Sequence, residues 1–361
     1  MAVKILVISD YRPTVAVRPE AEIFVSLHRM GFDITIMTYG EAEYVKRFRE
    51  EGIRVLTNHP TRKYSRSAIH MIRNELLSGN YDIMHIFSSP VNGIFAAYGL
   101  KVKVALYRGY TGNIHWYDPI MYIKYLSPRV DKIVCLVEAI RQVFLRNFMP
   151  ARKLITINKG HDLAWYADVT PANLEGLNIP QDALKLVCAA NVRPMKGVKY
   201  LLKATHHLPA DANIHLLLMG HHMDAPEFIK LMEESPLRNK IHQLGYRKDV
   251  LCVVKACDVF VLASIKGEAI TKAVLEAMSL AVAPLITDIP GNIDLVVNGE
   301  SGIVVPSKNP KALADGIMAY YNDRSLVKTY GENARKRIET RFNAKDTVLQ
   351  FQAMYEALAS Q

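Results

Sequence analysis

The sequence predicts an α/β protein of two doubly wound, parallel-sheet domains, and three observations carry that expectation. The chain has 361 residues, more than one ordinary core holds and about right for two. Short apolar runs rich in Val and Ile alternate with amphipathic stretches of about ten residues, the pattern of strands buried on both faces beneath crossover helices. The alternation stops once, across KGHDLAWYADVTPANLEGLNIPQDA with its two prolines, and then restarts with the same grammar.

In chain order, KILVIS opens as a buried strand, and EAEIFVSLHRMG forms a helix that ends at Gly31. FDITIMT is the next strand, followed by a charged helix from Glu43 to Glu51 and the strand IRVLT. A basic helix over 65–77 leads to the strand YDIMHIF, and VKVALY follows. After the break come the strand ALKLVCAAN, the helix KGVKYLLKATHHL, the strand NIHLLLMG and the helix EFIKLMEES. KIHQLG, a helix around VLCVVKAC, the strand DVFVLAS, the helix TKAVLEAM and the strand AVAPLIT complete the set. The last 30 or so residues are helical. The expected domains are residues 1–163, residues 164–335, and a C-terminal helix, 336–361, that packs back on the first domain. Two such domains are expected to face a cleft, with ligands beyond the carboxyl ends of the strands.

Composition narrows the class. Half the residues are apolar and 22% are charged, which describes a folded chain rather than a disordered one. No apolar run approaches the roughly 20 residues of a membrane helix. MAVKILVISDY suits a first strand better than a signal peptide. Cys135, Cys188, Cys252 and Cys257 lack metal-type spacing and suit reduced, buried thiols in a cytoplasmic protein. The net charge of +10 is lopsided: residues 1–160 hold 23 Lys+Arg against 13 Asp+Glu, and the remainder hold 22 of each. An anionic substrate or an anionic membrane surface would suit a basic half of this kind. The helix over 65–77 is basic with Ile69, Ile72 and Leu76 on one face, so it either lies on such a membrane or is an ordinary solvated helix. Nucleic acid is disfavoured, because the basic residues are dispersed. A nicotinamide dehydrogenase is disfavoured too, because no G-x-G-x-x-G follows a strand.

Two segments hold candidate chemistry. In AANVRPMKGVKYLL, Arg193 and Lys196 stand between a strand end and a helix start, where free amide hydrogens and the helix dipole favour anions. In KGEAITKAVLEAM, Glu268 precedes a helix that Thr271 is expected to cap, and Lys272, Glu276 and Ser279 form the one polar line of an otherwise apolar segment. That line either faces water, with Glu276 paired to Lys272, or faces a cleft in which carboxylates accept hydrogen bonds from ligand hydroxyls.

Residues 186–306 resemble the donor half of retaining glycosyltransferases of the GT-B fold, family 4, the group 1 glycosyl transferases. The resemblance rests on Glu268-AITKAVL-Glu276-Ala277-Met278, on NVRPMKG, and on the Gly-containing loop after AVAPLIT. It implies that Arg193 and Lys196 bind the donor diphosphate, that Glu276 holds the nucleotide ribose, and that Glu268 contacts the transferred sugar. It also implies that the backbone of Ala269, Ile270 and Thr271 approaches sugar or phosphate and that Tyr246 lies near the base. The chain departs from the family pattern where EAIT replaces EGFG, and where SDYRPTVAVRPEAE carries Arg12 and Arg18 but no glycine. In YRGYTGNIHWYDP, Arg108 and His115 are placed to reach a cleft, and His115 is preferred over His85 as a catalytic histidine. The doublets His206-His207 and His221-His222 lack partner ligands and suit surface positions. With no Asp-x-Asp in the chain, cationic side chains rather than a metal are expected to grip the diphosphate.

The expected function is therefore transfer of a hexose or N-acetylhexosamine, with retention, from a nucleoside-diphosphate sugar to a saccharide or lipid-linked acceptor in bacterial surface glycan synthesis. The donor is expected to be UDP-linked, with no cofactor or metal, in a cytoplasmic enzyme that touches the inner membrane face peripherally. A nucleotide-sugar epimerase of similar shape and a non-catalytic binding module are the alternatives.

Overall fold

The structure, a computed structural model, describes residues 2–12, 14–266 and 270–361, without the side chains of residues 14–16. The chain forms two compact units, Met1–Gly160 with Ala344–Gln361, and His161–Asn343.

In unit 1 the strands are β1 (Lys4–Ile8), β2 (Asp33–Met37), β3 (Arg54–Leu56), β4 (Ile83–Ile86), β5 (Lys103–Arg108), β6 (Lys132–Cys135) and β7 (Leu154–Thr156). They form one parallel sheet in the order β3-β2-β1-β4-β5-β6-β7. The first helix ends as its sequence predicts. Arg29 is its last residue, Gly31 takes φ +97°, and the Phe32 amide reaches back to the Leu27 carbonyl. Ser65 caps the helix Arg66–Gly79 through the Ala68 amide, and Ala68, Ile72 and Leu76 of that helix are buried within the unit. Of the expected apolar face, Ile72 and Leu76 are thus covered by protein, Ile69 is half-buried, and Leu77 on the same helix is exposed.

Unit 2 contains β8 (Leu184–Ala189), β9 (Ile214–Met219), β10 (Ile241–Gly245), β11 (Val259–Leu262), β12 (Ala283–Thr287) and β13 (Ile303–Val305), all parallel in the order β10-β9-β8-β11-β12-β13. Neighbouring residues on β8 feed opposite faces: Leu186 packs with Leu201, Leu216 and Leu285, while Val187 packs with Leu217, Phe260 and Ile286. Both faces are apolar, so each strand appears in the sequence as an unbroken hydrophobic run. Strands β6, β7 and β13, of three or four residues each, are additional to the strands expected from the sequence.

The helical C-terminus is two helices. Ser325–Arg341 stays in unit 2, where Ala334 and Ile338 join the core. Ala344–Ala359 belongs to unit 1, where Phe351 and Tyr355 are fully buried. The Tyr355 hydroxyl lies 2.6 Å from His85 Nδ1, and the Thr347 hydroxyl bridges the Gly160 amide and the Asn158 carbonyl.

Two buried histidines make the fold acid-sensitive. Burial pushes the His85 imidazole down to about 3. His215, 5% exposed and stacked on His242 of the neighbouring strand, is pushed down to about 4, chiefly by burial and then by His242. Both values lie below that of an unfolded histidine, so the unfolded chain takes up protons first as pH falls. Stability from these groups is therefore complete above about pH 6.5 and is lost from there down to about pH 4 for His215 and about pH 3 for His85. Urea unfolding at pH 7 and pH 5 is expected to differ by about 2 kcal/mol per histidine. The His215→Gln variant is expected to lose that histidine's share of the difference, and equal slopes in variant and parent would refute the assignment.

Candidate active site

Strand order reverses between β8 and β11 in unit 2, since the sheet grows from β8 through β9 to β10 on one side and from β11 through β12 to β13 on the other, and such a switch point is where parallel sheets bind ligands. The loop after β8 holds Arg193 and Lys196. A short 3-10 turn, Pro194–Lys196, precedes the helix Val198–Thr205, so the helix starts slightly later than the sequence suggests. Arg193 is exposed and Lys196 half-buried. Burial lifts the Cys188 thiol beneath this loop to about 12, and the Lys196 charge acts in the opposite sense.

The β8 and β11 loops touch. The Ile265 amide donates to the Met195 carbonyl at 2.8 Å, and Gly197, at φ +65°, lies flat against the Ala263 carbonyl. The loop then leads to the helix Lys272–Ser279. Thr271 occupies the N-cap position as expected, yet its hydroxyl does not cap the helix and instead reaches Asn292 Oδ1 at 3.2 Å. Among the described residues no side chain caps the first-turn amides, and the positive end of the helix dipole favours an anion there. Glu276, 9% exposed, is ion-paired with Lys272. The pair with Lys272 forms, but the carboxylate is buried rather than turned to open water. Ser279 is fully buried and bonds the Leu275 carbonyl.

Sequence reasoning missed the groups that hold this loop. Thr287, fully buried, donates its hydroxyl to the Ser264 carbonyl, and Asn292, also fully buried, donates to the Thr287 carbonyl at 3.3 Å while accepting from Thr271. Polar residues within PLITDIPGNID were the available signal, because a buried amide must find partners.

Tyr246 is 61% exposed and stacks on His221 with ring centroids 4.5 Å apart. The His221 amide bonds Asn191 Oδ1 and its carbonyl accepts from the Val192 amide, which ties the stack to the β8 loop. Asn191 thus braces this loop. His221 and His222 are exposed, as expected. Ile270 packs partly against the core beneath the helix Lys272–Ser279. Glu268 and Ala269 lie outside the described residues.

Unit 1 places its singled-out residues differently from one another. His85 is enclosed. His115 is exposed and stacks on Tyr117. Arg108, expected to reach a cleft, is 3% exposed and bonds the Tyr110 and Gly112 carbonyls and the Tyr125 hydroxyl, so its guanidinium organises its own loop. Arg12 is locked bidentately to Asp10 and lies 3.7 Å over the Tyr39 ring.

Comparison with known proteins extends these observations. The family description "Glycosyl transferases group 1" matches residues 169–337, and "Glycosyltransferase Family 4" matches residues 21–165. An uncharacterized glycosyltransferase of Methanocaldococcus jannaschii is 24% identical over 340 residues, 88% of this chain and 85% of its own. The N,N'-diacetylbacillosaminyl-diphospho-undecaprenol alpha-1,3-N-acetylgalactosaminyltransferase of Campylobacter jejuni is 27% identical over 213 residues, 59% of this chain and 51% of its own. The crystal structure of Anabaena HepE in complex with UDP and glucose shares the fold, with a TM-score of 0.81 at 16% identity over 98% of this chain and all of that one.

Proposed function

Because the chain belongs to glycosyltransferase family 4, the group 1 glycosyl transferases of GT-B fold, we propose that it moves a hexose or N-acetylhexosamine, with retention of configuration, from a UDP-linked sugar to a saccharide or lipid-linked acceptor. At the coarser level it is a glycosyltransferase of glycan biosynthesis. The observation that carries the finer assignment is the Met195–Ile265 contact, which seats the Lys196 turn against the loop entering the Glu276 helix. Cations in the Lys196 turn, a helix start at Lys272 and a buried carboxylate one turn further along that helix suit a ligand with phosphates at one end and hydroxyls beyond.

In the proposed mechanism, Arg193, Lys196 and the helix start stabilise charge that develops on the departing diphosphate, with no metal required. Glu276 accepts from the ribose hydroxyls, Tyr246 approaches the base, and Glu268 with the backbone of Ala269, Ile270 and Thr271 contacts the transferred sugar. The acceptor hydroxyl attacks from the face the diphosphate leaves, and its proton passes to that diphosphate. The UDP and glucose of the Anabaena structure support the donor class, and the diphospho-undecaprenol in the Campylobacter relative's name supports a lipid-linked acceptor.

A thermal-shift panel of UDP-, GDP- and ADP-sugars tests the donor, with stabilisation by the UDP-sugars alone expected. Stabilisation by none of them would remove the donor site. Replacing Glu276 by Gln keeps its shape and removes its charge. Calorimetry is expected to show UDP binding weakened roughly 10-fold, the loss of a charge-assisted hydrogen bond. Unchanged affinity would detach Glu276 from the ribose.

A further inference from the structure

In unit 1 the strand order reverses between β1 and β4, since the sheet grows from β1 through β2 to β3 on one side and from β4 through β5 and β6 to β7 on the other. Parallel sheets bind ligands beyond the carboxyl ends of their strands at such a point. The residues leaving those ends include Ser9 and Asp10 after β1, Tyr39 after β2, His59 after β3 and Ser88 after β4.

Ser88 is the centre of this group. His59 Nε2 lies 2.6 Å from its Oγ. The imidazole is 7% exposed, and its Nδ1 has no hydrogen-bond partner among the described residues. The ring packs on Tyr39, with centroids 4.4 Å apart, and the Arg12 guanidinium covers the Tyr39 ring at 3.7 Å. The side chain that can turn least is thus bonded to Ser88. The backbone beside Ser88 is held as well. Ser89 takes φ +55°, and its hydroxyl donates to the Pro60 carbonyl at 3.3 Å. A left-handed serine is strained, and strain of this kind gathers where a site must be preorganised. Ser88 itself is half-buried, so a ligand can reach it.

Charge and hydrogen bonding select the ligand. Asp10 is paired bidentately with Arg12, and Glu20, which accepts from the Ser9 hydroxyl, is paired with Lys159 at 2.6 Å. Burial holds the His59 imidazole below its ordinary value, with Asp10 and Arg12 acting on it in opposite senses, so it is neutral at pH 7. These charges cancel in pairs, which favours a neutral ligand over a phosphate. Serine has one donor and two lone pairs. If Ser88 donates to His59, its lone pairs can take a ligand O–H. If His59 donates, Ser88 keeps both an O–H and a lone pair. A ligand hydroxyl satisfies either arrangement, because it gives and accepts, whereas an ionised phosphate oxygen satisfies only the second.

We infer that Ser88, oriented by His59, binds a hydroxyl of a neutral sugar at the carboxyl edge of the unit 1 sheet. Calling that sugar the acceptor rests on the glycosyl transfer proposed above, and the binding itself does not. The part of the acceptor read here is then a saccharide rather than the phosphate of a lipid carrier.

Ligand-observed NMR of the full chain with the methyl glycosides of glucose, galactose, mannose and N-acetylglucosamine tests it, with no donor present. At least one glycoside is expected to bind, and excess inorganic phosphate is expected not to displace it. Ser88→Ala is expected to weaken binding about 10-fold, the loss of one hydrogen bond, while the thermal shift given by UDP-sugars stays that of the parent. His59→Phe keeps a ring against Tyr39 without the nitrogens and is expected to match Ser88→Ala. His59→Gln returns a polar group to Ser88 and is expected to recover most of the affinity, which a histidine that only fills space would not predict. No glycoside bound by the parent, displacement by phosphate, or equal affinity in Ser88→Ala overturns the inference. Binding lost in Ser88→Ala, in a parent that no UDP-sugar stabilises, supports the sugar site and removes the donor reading instead.

Discussion

Lys196→Ala is expected to lower turnover by about 100-fold or more while leaving the melting temperature within a degree or two. The size follows from what a fixed cation contributes when charge develops on a leaving diphosphate in a partly desolvated site. The small thermal effect follows from position. Lys196 is half-buried at the end of a short turn, and that turn is held by backbone bonds, the Lys196 amide to the Arg193 carbonyl and the Ile265 amide to the Met195 carbonyl. Neither bond needs the side chain. Lys196→Arg, which restores charge with a different geometry, is expected to recover only part of the rate. Steady-state kinetics on a variant with a parent-like circular dichroism melt decides the matter, and an unchanged kcat removes Lys196 from the reaction.

Gly197→Ala, one residue on, is expected to do the reverse and damage the fold first. An added Cβ would stand 1.9 Å from the Ala263 carbonyl oxygen, and the backbone at φ +65° disfavours any side chain. The oxygen belongs to main chain that continues directly from β11, so it has little room to yield. Strain and overpacking together are expected to cost about 3 kcal/mol or more. A clear drop in the urea midpoint, with activity falling alongside, is the expected result. A variant as stable as the parent would show that the two loops can separate freely. Together the substitutions distinguish a residue that acts on the ligand from one that keeps two loops in contact.

Much of this was legible in the sequence. Continuous apolar strands alternating with helices indicated two parallel sheets, and each sheet is parallel throughout. The helix stop at Gly31, the cap position of Thr271 and the turn around Arg193 and Lys196 could be read from local chemistry. Long-range partnerships could not. Nothing near YDIMHIF reveals that His85 will meet Tyr355, 270 residues on. Nothing near YRGYTG reveals that Arg108 will turn back on its own loop rather than outward, because a guanidinium serves equally well as ligand and as brace. Asn292 and Thr287 gave only the general signal of polar residues in an apolar stretch, and their role appears once the Thr271 hydroxyl is seen to leave the helix and reach Asn292.

The return of Ala344–Ala359 to unit 1 bears on how the chain is made. A ribosome releases residues 1–160 before unit 2, but Phe351 and Tyr355, both fully enclosed in that first unit, emerge only after all of unit 2. Unit 2 is one uninterrupted stretch, His161–Asn343, and can close as soon as it clears the exit tunnel. Vectorial synthesis therefore inverts the written order: of the two units, the one begun first is completed second, because the seat of Phe351 and Tyr355 cannot fill until unit 2 has been made.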